Sequence, residues 1–176
     1  MADVIVRNKK EFDEVVVKEY ESIVIHFNDA ECIEINPKPG KFNLNSILIK
    51  RGKIILRGDL MVEAEGESQI IALDKTFVTA RNYSRVIAKD KSRVSSWENS
   101  IVMSYGSSSV VAYANSCVIA HELSTVDARG NSKIIARGSS RIIANGDCHV
   151  TAFEAAIVKR MSEDAKIEIH DFASFI

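Results

Sequence analysis

Residues that interrupt secondary structure or form cross-links are scarce in this sequence: its 176 residues include two prolines, eight glycines and three cysteines. The cysteines are odd in number and have no paired spacing, which is typical of a reducing compartment and not of a disulfide scaffold. No run approaches the roughly 18 apolar residues that a membrane span requires. The segment MADVIVRNKKEF also lacks a signal-peptide core. We therefore expect a cytoplasmic protein without a membrane anchor.

The sequence also has no excess of positive or negative charge. The 23 Lys and Arg residues nearly balance 24 Asp and Glu residues, for a net charge of −1, and 46% of the residues are hydrophobic. This balance excludes a disordered charged tail, and it disfavours binding to nucleic acid or a membrane through overall charge. The length suits one domain with a sizeable core.

The abundant feature is a repeat of eight residues. Steps of eight from Val62 to Val158 meet Val or Ile at all thirteen positions, and Ala or Ser follows two residues later as far as Ala152. Ser or Thr precedes the Val or Ile by two residues in most repeats. Residues two positions apart point in different directions around a helix, but they lie on the same face of a strand. Each repeat therefore predicts a strand of about five residues and a three-residue corner. The fold class we predict is an all-β parallel β-solenoid, or β-helix.

The number of repeats in one coil follows from the outward residue after each Val or Ile. Every sixteenth residue gives one apolar series, and the interleaved series is mixed, with Glu63, Thr79, Ser95, Val111, Asp127 and Ile143. A step of 24 residues mixes the two series. The sequence therefore favours a flattened, two-sided coil of about 16 residues, and its small inward Ala and Ser predict two closely spaced sheets.

Three regions are predicted along the chain. Residues 1–40 should form an N-terminal α/β cap, with a helix that Asn8 caps and strands at 22–27 and 31–36, ended by Pro37 and Pro39. Phe12, Val15, Val16 and Tyr20 should share one face of that helix. Residues 41–160 should form the solenoid. Residues 161–176 should form a capping strand or tail, because Lys166 breaks the series after Val158; its apolar end, Phe175 and Ile176, should dock on the chain or on a partner.

Three surface features are candidates for binding a partner. The apolar series, called the apolar row below, comprises Ile71, Ile87, Met103, Ile119 and Ile135. It is either covered by the N-terminal helix or the C-terminal tail, or it is an interface with a protein partner or a second copy, most simply in a dimer. The aromatic set comprises Trp97, Tyr105 and Tyr113, with His121 and Phe153 in the same register; these residues are either corner packing or interface anchors.

The third feature is a pair of basic clusters, which the repeat should bring together on the surface. The first contains Arg81, Arg85, Lys89, Lys91 and Arg93, and the second contains Arg129, Lys133, Arg137 and Arg141. Each cluster is either a solvated surface that prevents aggregation or a docking site for an acidic partner.

We find no catalytic constellation, metal site or cofactor motif in the sequence. His26, His121, His149 and His170 are not at metal-ligand spacing, and no nucleophile elbow, P-loop or dinucleotide fingerprint is present. The corner acids Asp74, Asp90, Glu98 and Glu122 are interpreted as turn formers, with a glycosidase-like or lyase-like carboxylate pair as the alternative. We therefore expect a protein that is not an enzyme.

Residues 60–160 resemble the octapeptide-repeat solenoid proteins of bacteriophages and gut bacteria, whose unit is x-Val-x-Ala-x-Gly-Asn-Ser; the closest stretch is DARGNSKIIARGSSRIIANG. A weaker similarity is to bactofilins, which are polymerising β-solenoids. The resemblance implies a non-enzymatic scaffold, phage- or prophage-associated and acting in the host cytoplasm. It would bind a protein partner, in one version inhibiting a host complex, or bind itself. A bactofilin-like polymer or fibre segment and a carbohydrate-binding or carbohydrate-active β-helix are the alternatives.

Overall fold

The computed structural model of the protein describes residues 4–16, 22–27, 32–36 and 46–176. These residues form a parallel β-solenoid, so the predicted fold class is confirmed. The first elements are β1 (Val4–Val6), α1 (Lys9–Val16), β2 (Ser22–His26), β3 (Cys32–Ile35), β4 (Ser46–Leu56) and β5 (Met61–Ala72). The solenoid strands that follow are β6 (Phe77–Ala80), β7 (Arg85–Ala88), β8 (Arg93–Ser96), β9 (Ile101–Ser104), β10 (Ser109–Ala112), β11 (Cys117–Ala120) and β12 (Thr125–Ala128). The last are β13 (Lys133–Ala136), β14 (Arg141–Ala144), β15 (His149–Ala152), β16 (Ile157–Arg160), β17 (Lys166–Ile169) and β18 (Ser174–Phe175).

Consecutive strands alternate between two parallel sheets, which makes the coil two-sided. Val86 pairs with Val102, and Val102 pairs with Val118, so that partners lie sixteen residues apart as the outward series predicted. Sheet A contains β3, β7, β9, β11, β13, β15 and β17, and sheet B contains β1, β2, β6, β8, β10, β12, β14, β16 and β18. The long strands β4 and β5 pass through a corner and contribute to both sheets.

The core is a set of rows that run along the solenoid axis. All thirteen Val and Ile residues from Val62 to Val158 are at most 1% exposed, and the Ala row beside them is fully buried. Burial of each Val or Ile side chain contributes about 1.5–3 kcal/mol. In the N-terminal coils larger side chains replace Ala; Ile25, Ile49 and Leu56 are fully buried there. The sheets therefore continue to β1, around a core of larger residues.

The helix α1 begins as the sequence predicts. The Asn8 side-chain oxygen accepts from the Glu11 N–H at 2.9 Å, which is an N-cap, and the Glu11 carboxylate accepts from the Arg7 N–H at 2.7 Å, one residue before the cap. Phe12 is buried and Val15 packs partly against the core. Tyr20, expected on the same face, lies outside the described residues, as do Pro37 and Pro39.

The C-terminal residues extend the sheets as one more coil. Strand β17 pairs with β15 so that Val150 lies beside Ile167, an offset of seventeen residues. One additional residue between β16 and β17 therefore moves the inward position from Lys166 to Ile167. Phe172 is 90% and Ile176 is 72% exposed on this last coil. No helix among the described residues is long and apolar enough to cross a membrane.

Candidate functional site

The apolar row forms a continuous line on the outer surface of sheet A. Pleating points the third residue of each strand outward, and parallel pairing places Ile87 beside Met103, Met103 beside Ile119, and Ile119 beside Ile135. Neighbours in such a line are about 4.8 Å apart. Ile55 pairs with Ile71 and extends the row, although the sequence analysis omitted it. Its position sixteen residues before Ile71 is the signal that could have identified it.

Among the residues that the structure describes, neither of the two expected covers lies over the apolar row. The helix α1 packs against β1, and the C-terminal strands prolong the two sheets. Met103 is 37% exposed, and the four isoleucines of the row are half-buried between their neighbours. A shallow depression of about 310 Å³ follows the N-terminal half of the row; its lining includes Cys32, Ile71, Ile87, Ile101 and Met103. Within the described part of the chain, this row is an apolar surface open to solvent.

The aromatic residues lie at two edges of the slab and not in one set. Trp97 stacks on Tyr113 with ring centroids 3.9 Å apart, at the corner that leads from sheet B to sheet A. Tyr105 stacks on His121 at 4.8 Å, at the opposite corner, where Phe153 also stacks on His170. These residues share one place in the eight-residue repeat, but residues eight apart follow strands of opposite sheets and so lie at opposite corners. Trp97, Tyr113 and Tyr105 therefore do not form one platform.

The basic clusters are divided for the same reason. Arg85 and Lys89 flank strand β7 on sheet A, whereas Arg81 and Arg93 lie on the sheet B side. In the second cluster, Lys133 and Arg137 belong to sheet A, and Arg129 and Arg141 belong to sheet B. The structure thus separates residues that are close in sequence. It brings together instead the sheet A members of both clusters, on either side of the apolar row.

The corner acids bind backbone amides of the preceding coil. Asp74, Asp90, Glu98 and Glu122 all have φ of 58° or 59°. Their carboxylates accept hydrogen bonds from backbone N–H groups sixteen residues earlier. The donors are Gly58 at 3.0 Å, Asp74 at 3.1 Å, Asn82 at 2.8 Å and Gly106 at 2.6 Å. Such charge-assisted bonds offset the roughly 1–2 kcal/mol cost of left-handed backbone at a residue with a side chain. These carboxylates tie the corners together, as the turn-former interpretation requires.

The thiols differ in accessibility. Cys32 is exposed, Cys117 is half-buried on the outer surface of sheet A, and Cys148 is buried. Burial raises the pKa of the Cys117 thiol, and the neighbouring Lys133 partly opposes this effect. Burial also raises the pKa of Cys148.

A second concavity, of about 1100 Å³, lies beside the C-terminal coil; its lining includes Asp147, His149, Arg160, Glu163 and Lys166. In the described ranges no three His, Cys, Asp or Glu side chains converge closely enough to hold a metal ion.

Comparison with known proteins returns no relative: no protein-family model, no curated protein and no solved structure matches the chain significantly. The outer surface of sheet A is therefore the feature from which a function can be inferred.

Proposed function

We propose that the protein is a non-enzymatic interaction scaffold that binds a protein partner through the outer surface of sheet A. The apolar row is the observation that carries this proposal, because a soluble chain rarely leaves a continuous line of aliphatic side chains in water unless it serves as a contact. The resemblance to phage and gut-bacterial octapeptide-repeat proteins adds the setting. The partner would be a protein of the host cytoplasm, and inhibition of a host complex is one form of such binding.

Rigidity makes this surface suitable for recognition. Each strand of sheet A from β7 to β15 is paired on both sides, so binding orders little backbone and loses little conformational entropy. The outer surface of sheet A spans nine strands, each about 13 Å long and about 4.8 Å from the next, so its area is about 500 Å². A standard interface buries about 800 Å² on each partner. The partner is therefore expected to contact the slab edges as well, or to bind transiently.

Substitutions in the apolar row test the proposal. Ile87→Asp and Ile119→Asp place a carboxylate in the centre of the contact, whereas Thr79→Asp and Ser95→Asp place it at the same pleat position on sheet B. We expect the first pair to lose self-association or a cross-linked partner, and the control pair to retain it. Light scattering and cross-linking with mass spectrometry measure the two outcomes. If all four variants associate like the wild type while unfolding at its temperature, the proposal is wrong.

A polymer or fibre segment is the second candidate, because the last coil exposes Phe172 and Ile176. Stacking of a further coil from another copy would pair the free edge of β18 and reduce the exposure of these side chains. Concentration-dependent filaments in electron micrographs that disappear in Phe172→Glu would favour this function over the first.

A further inference from the structure

Four neighbouring strands of sheet A carry cations at the corners of a rectangle. Strand β7 has Arg85 at its start and Lys89 just after its end, and three strands further β13 has Lys133 and Arg137 in the same two places. Along a strand the two positions are about 13 Å apart, and across the strands the separation is about 14 Å. All four side chains are exposed. We call these four residues the cation frame.

The inside of the cation frame is mostly apolar, with Tyr105 and His121 along one edge. Its outward side chains on the two inner strands and between the cations are Ile87, Ile101, Met103, Tyr105, Cys117, Ile119, His121 and Ile135. No carboxylate points outward from these four strands. The nearby corner acids Asp90 and Glu122 accept backbone N–H groups along the slab edge.

The four cations have no carboxylate partner among the described residues. By contrast, Arg57 pairs with Glu34 at 2.9 Å, and Arg129 on sheet B pairs with Asp127 at 2.6 Å. Arg137 lies over the Phe153 ring at 5.0 Å, which fixes its direction without neutralising its charge. Four cations that no described carboxylate pairs with therefore surround the apolar row.

We infer that the cation frame binds an acidic amphipathic helix of the partner, with the helix's apolar stripe on the apolar row and its flanking carboxylates against Arg85, Lys89, Lys133 and Arg137. This inference rests on the proposed function and specifies its partner. A helix with side chains is about 10–12 Å wide, which fits between cation columns about 13 Å apart. Its pitch of about 5.4 Å differs from the strand spacing by about 0.6 Å, so three turns accumulate only about 2 Å of mismatch. The flexible Met103 side chain can absorb such a mismatch.

Charge disfavours a second copy as the occupant of this surface. Face-to-face packing of two sheets A would set cation columns against cation columns, which is repulsive. Duplex nucleic acid would neutralise the cations, but it would press phosphates and sugars against isoleucine and methionine, which donate no hydrogen bonds. An acidic helix satisfies both the charges and the apolar centre.

The test uses the full chain and an 18-residue fluorescein-labelled peptide with leucines along one helical stripe and glutamates on both sides. Fluorescence anisotropy should detect binding of this peptide. Addition of 0.5 M NaCl should lower the affinity by roughly fivefold or more. The double variant Lys133→Glu/Arg137→Glu should weaken binding by about tenfold, since two attractions become repulsions. The control double variant Arg93→Glu/Arg141→Glu makes the same change of charge on sheet B and should remain within about twofold of the wild type.

Three results would overturn the inference: equal binding of a peptide with lysine in place of glutamate, stronger binding of a 20-base-pair duplex, or equal effects of the two double variants. If Ile119→Asp abolishes self-association or partner binding while the charge reversals change nothing, the inference fails and the proposed function stands. If Ile119→Asp is also without effect on a folded protein, both fail.

Discussion

Two buried serines at equivalent positions should respond to the same substitution with opposite sign. Ser116 precedes β11 and Ser124 precedes β12, both are fully buried, and each backbone N–H donates to the carbonyl three residues earlier, at 3.2 and 3.1 Å. The Ser124 hydroxyl also donates to the His121 carbonyl at 2.7 Å, whereas the Ser116 hydroxyl has no hydrogen-bond partner among the described residues. The backbone is therefore matched and only the hydroxyl differs.

The magnitude follows from this difference. Ser124→Ala removes a net hydrogen bond and should destabilise the protein by about 1 kcal/mol. Ser116→Ala removes an unpaired buried hydroxyl and should stabilise it by about 1 kcal/mol. Ala156 occupies the same place in a later coil and is fully buried, so the site accommodates alanine. For a chain of this length, the resulting difference of about 2 kcal/mol corresponds to about 4–8 °C in unfolding temperature.

Thermal and urea unfolding, followed by far-UV circular dichroism and by the fluorescence of Trp97, the single tryptophan, measure both variants. Two probes are needed because repeat proteins can unfold in parts. Equal destabilisation of both variants would show that the Ser116 hydroxyl is paired in solution and would refute the reasoning.

Three further predictions follow from the corners, the thiols and the coil. At pH 7.5 iodoacetamide should modify the exposed Cys32 before Cys117, because burial raises the pKa of the Cys117 thiol and so lowers its thiolate fraction; peptide mass mapping that shows equal rates would contradict this. Glu122→Gln keeps an acceptor for the amide of the preceding coil, whereas Glu122→Ala does not. The free energy of unfolding in urea should therefore be about 1 kcal/mol lower for Glu122→Ala than for Glu122→Gln, and equal midpoints for the two variants would argue against the corner bond. Deletion of residues 109–124 removes one coil and should retain the β-sheet spectrum, but it also removes Ile119 and leaves Arg85 and Lys133 two strands apart instead of three, so peptide binding should weaken. Deletion of residues 109–116 should retain the spectrum but lose binding, because every later strand changes sheet; loss of the spectrum in the shorter deletion would contradict this.

The inward-facing side chains could be predicted from the sequence because they recur every eight residues, which is a short and even period. Val118, Ala120 and Ser116 lie two residues apart, so one pleat direction buries all three, and the next repeat restores the same direction. The outward row was predictable from the same arithmetic. Ile87 and Ile119 differ from Thr79 and Ser95 only in which of two alternating series contains them, and a period of sixteen separates the series.

Adjacency on the surface was harder to predict because closeness in sequence is misleading in a two-sided coil. Arg129 and Lys133 are four residues apart, yet a corner places them on different sheets, whereas Arg85 and Lys133 are far apart in sequence and share a face. The last coil was predicted only as a capping strand or tail, for another reason. A fixed step of eight assigns Lys166 to the core, and only the longer corner after β16 restores Ile167 to that position.

The core alone does not determine the size of the coil, since a repeat of eight residues places Val and Ala inward in a coil of two or of three repeats. The corners distinguish these possibilities. At a spacing of sixteen residues, the amide of Gly106 meets the carboxylate of Glu122, and that of Gly138 meets Glu154 at 2.7 Å. At a spacing of twenty-four, Gly106 would instead face Gly130, which has no acceptor side chain, and Glu98 would face the like charge of Glu122. Each bond contributes only about 0.5–1.5 kcal/mol, and it does so only in the two-sided coil. The inward repeat therefore determines that the chain is a solenoid, and the corner carboxylates help to select the coil that brings the apolar row and the cation frame onto one surface.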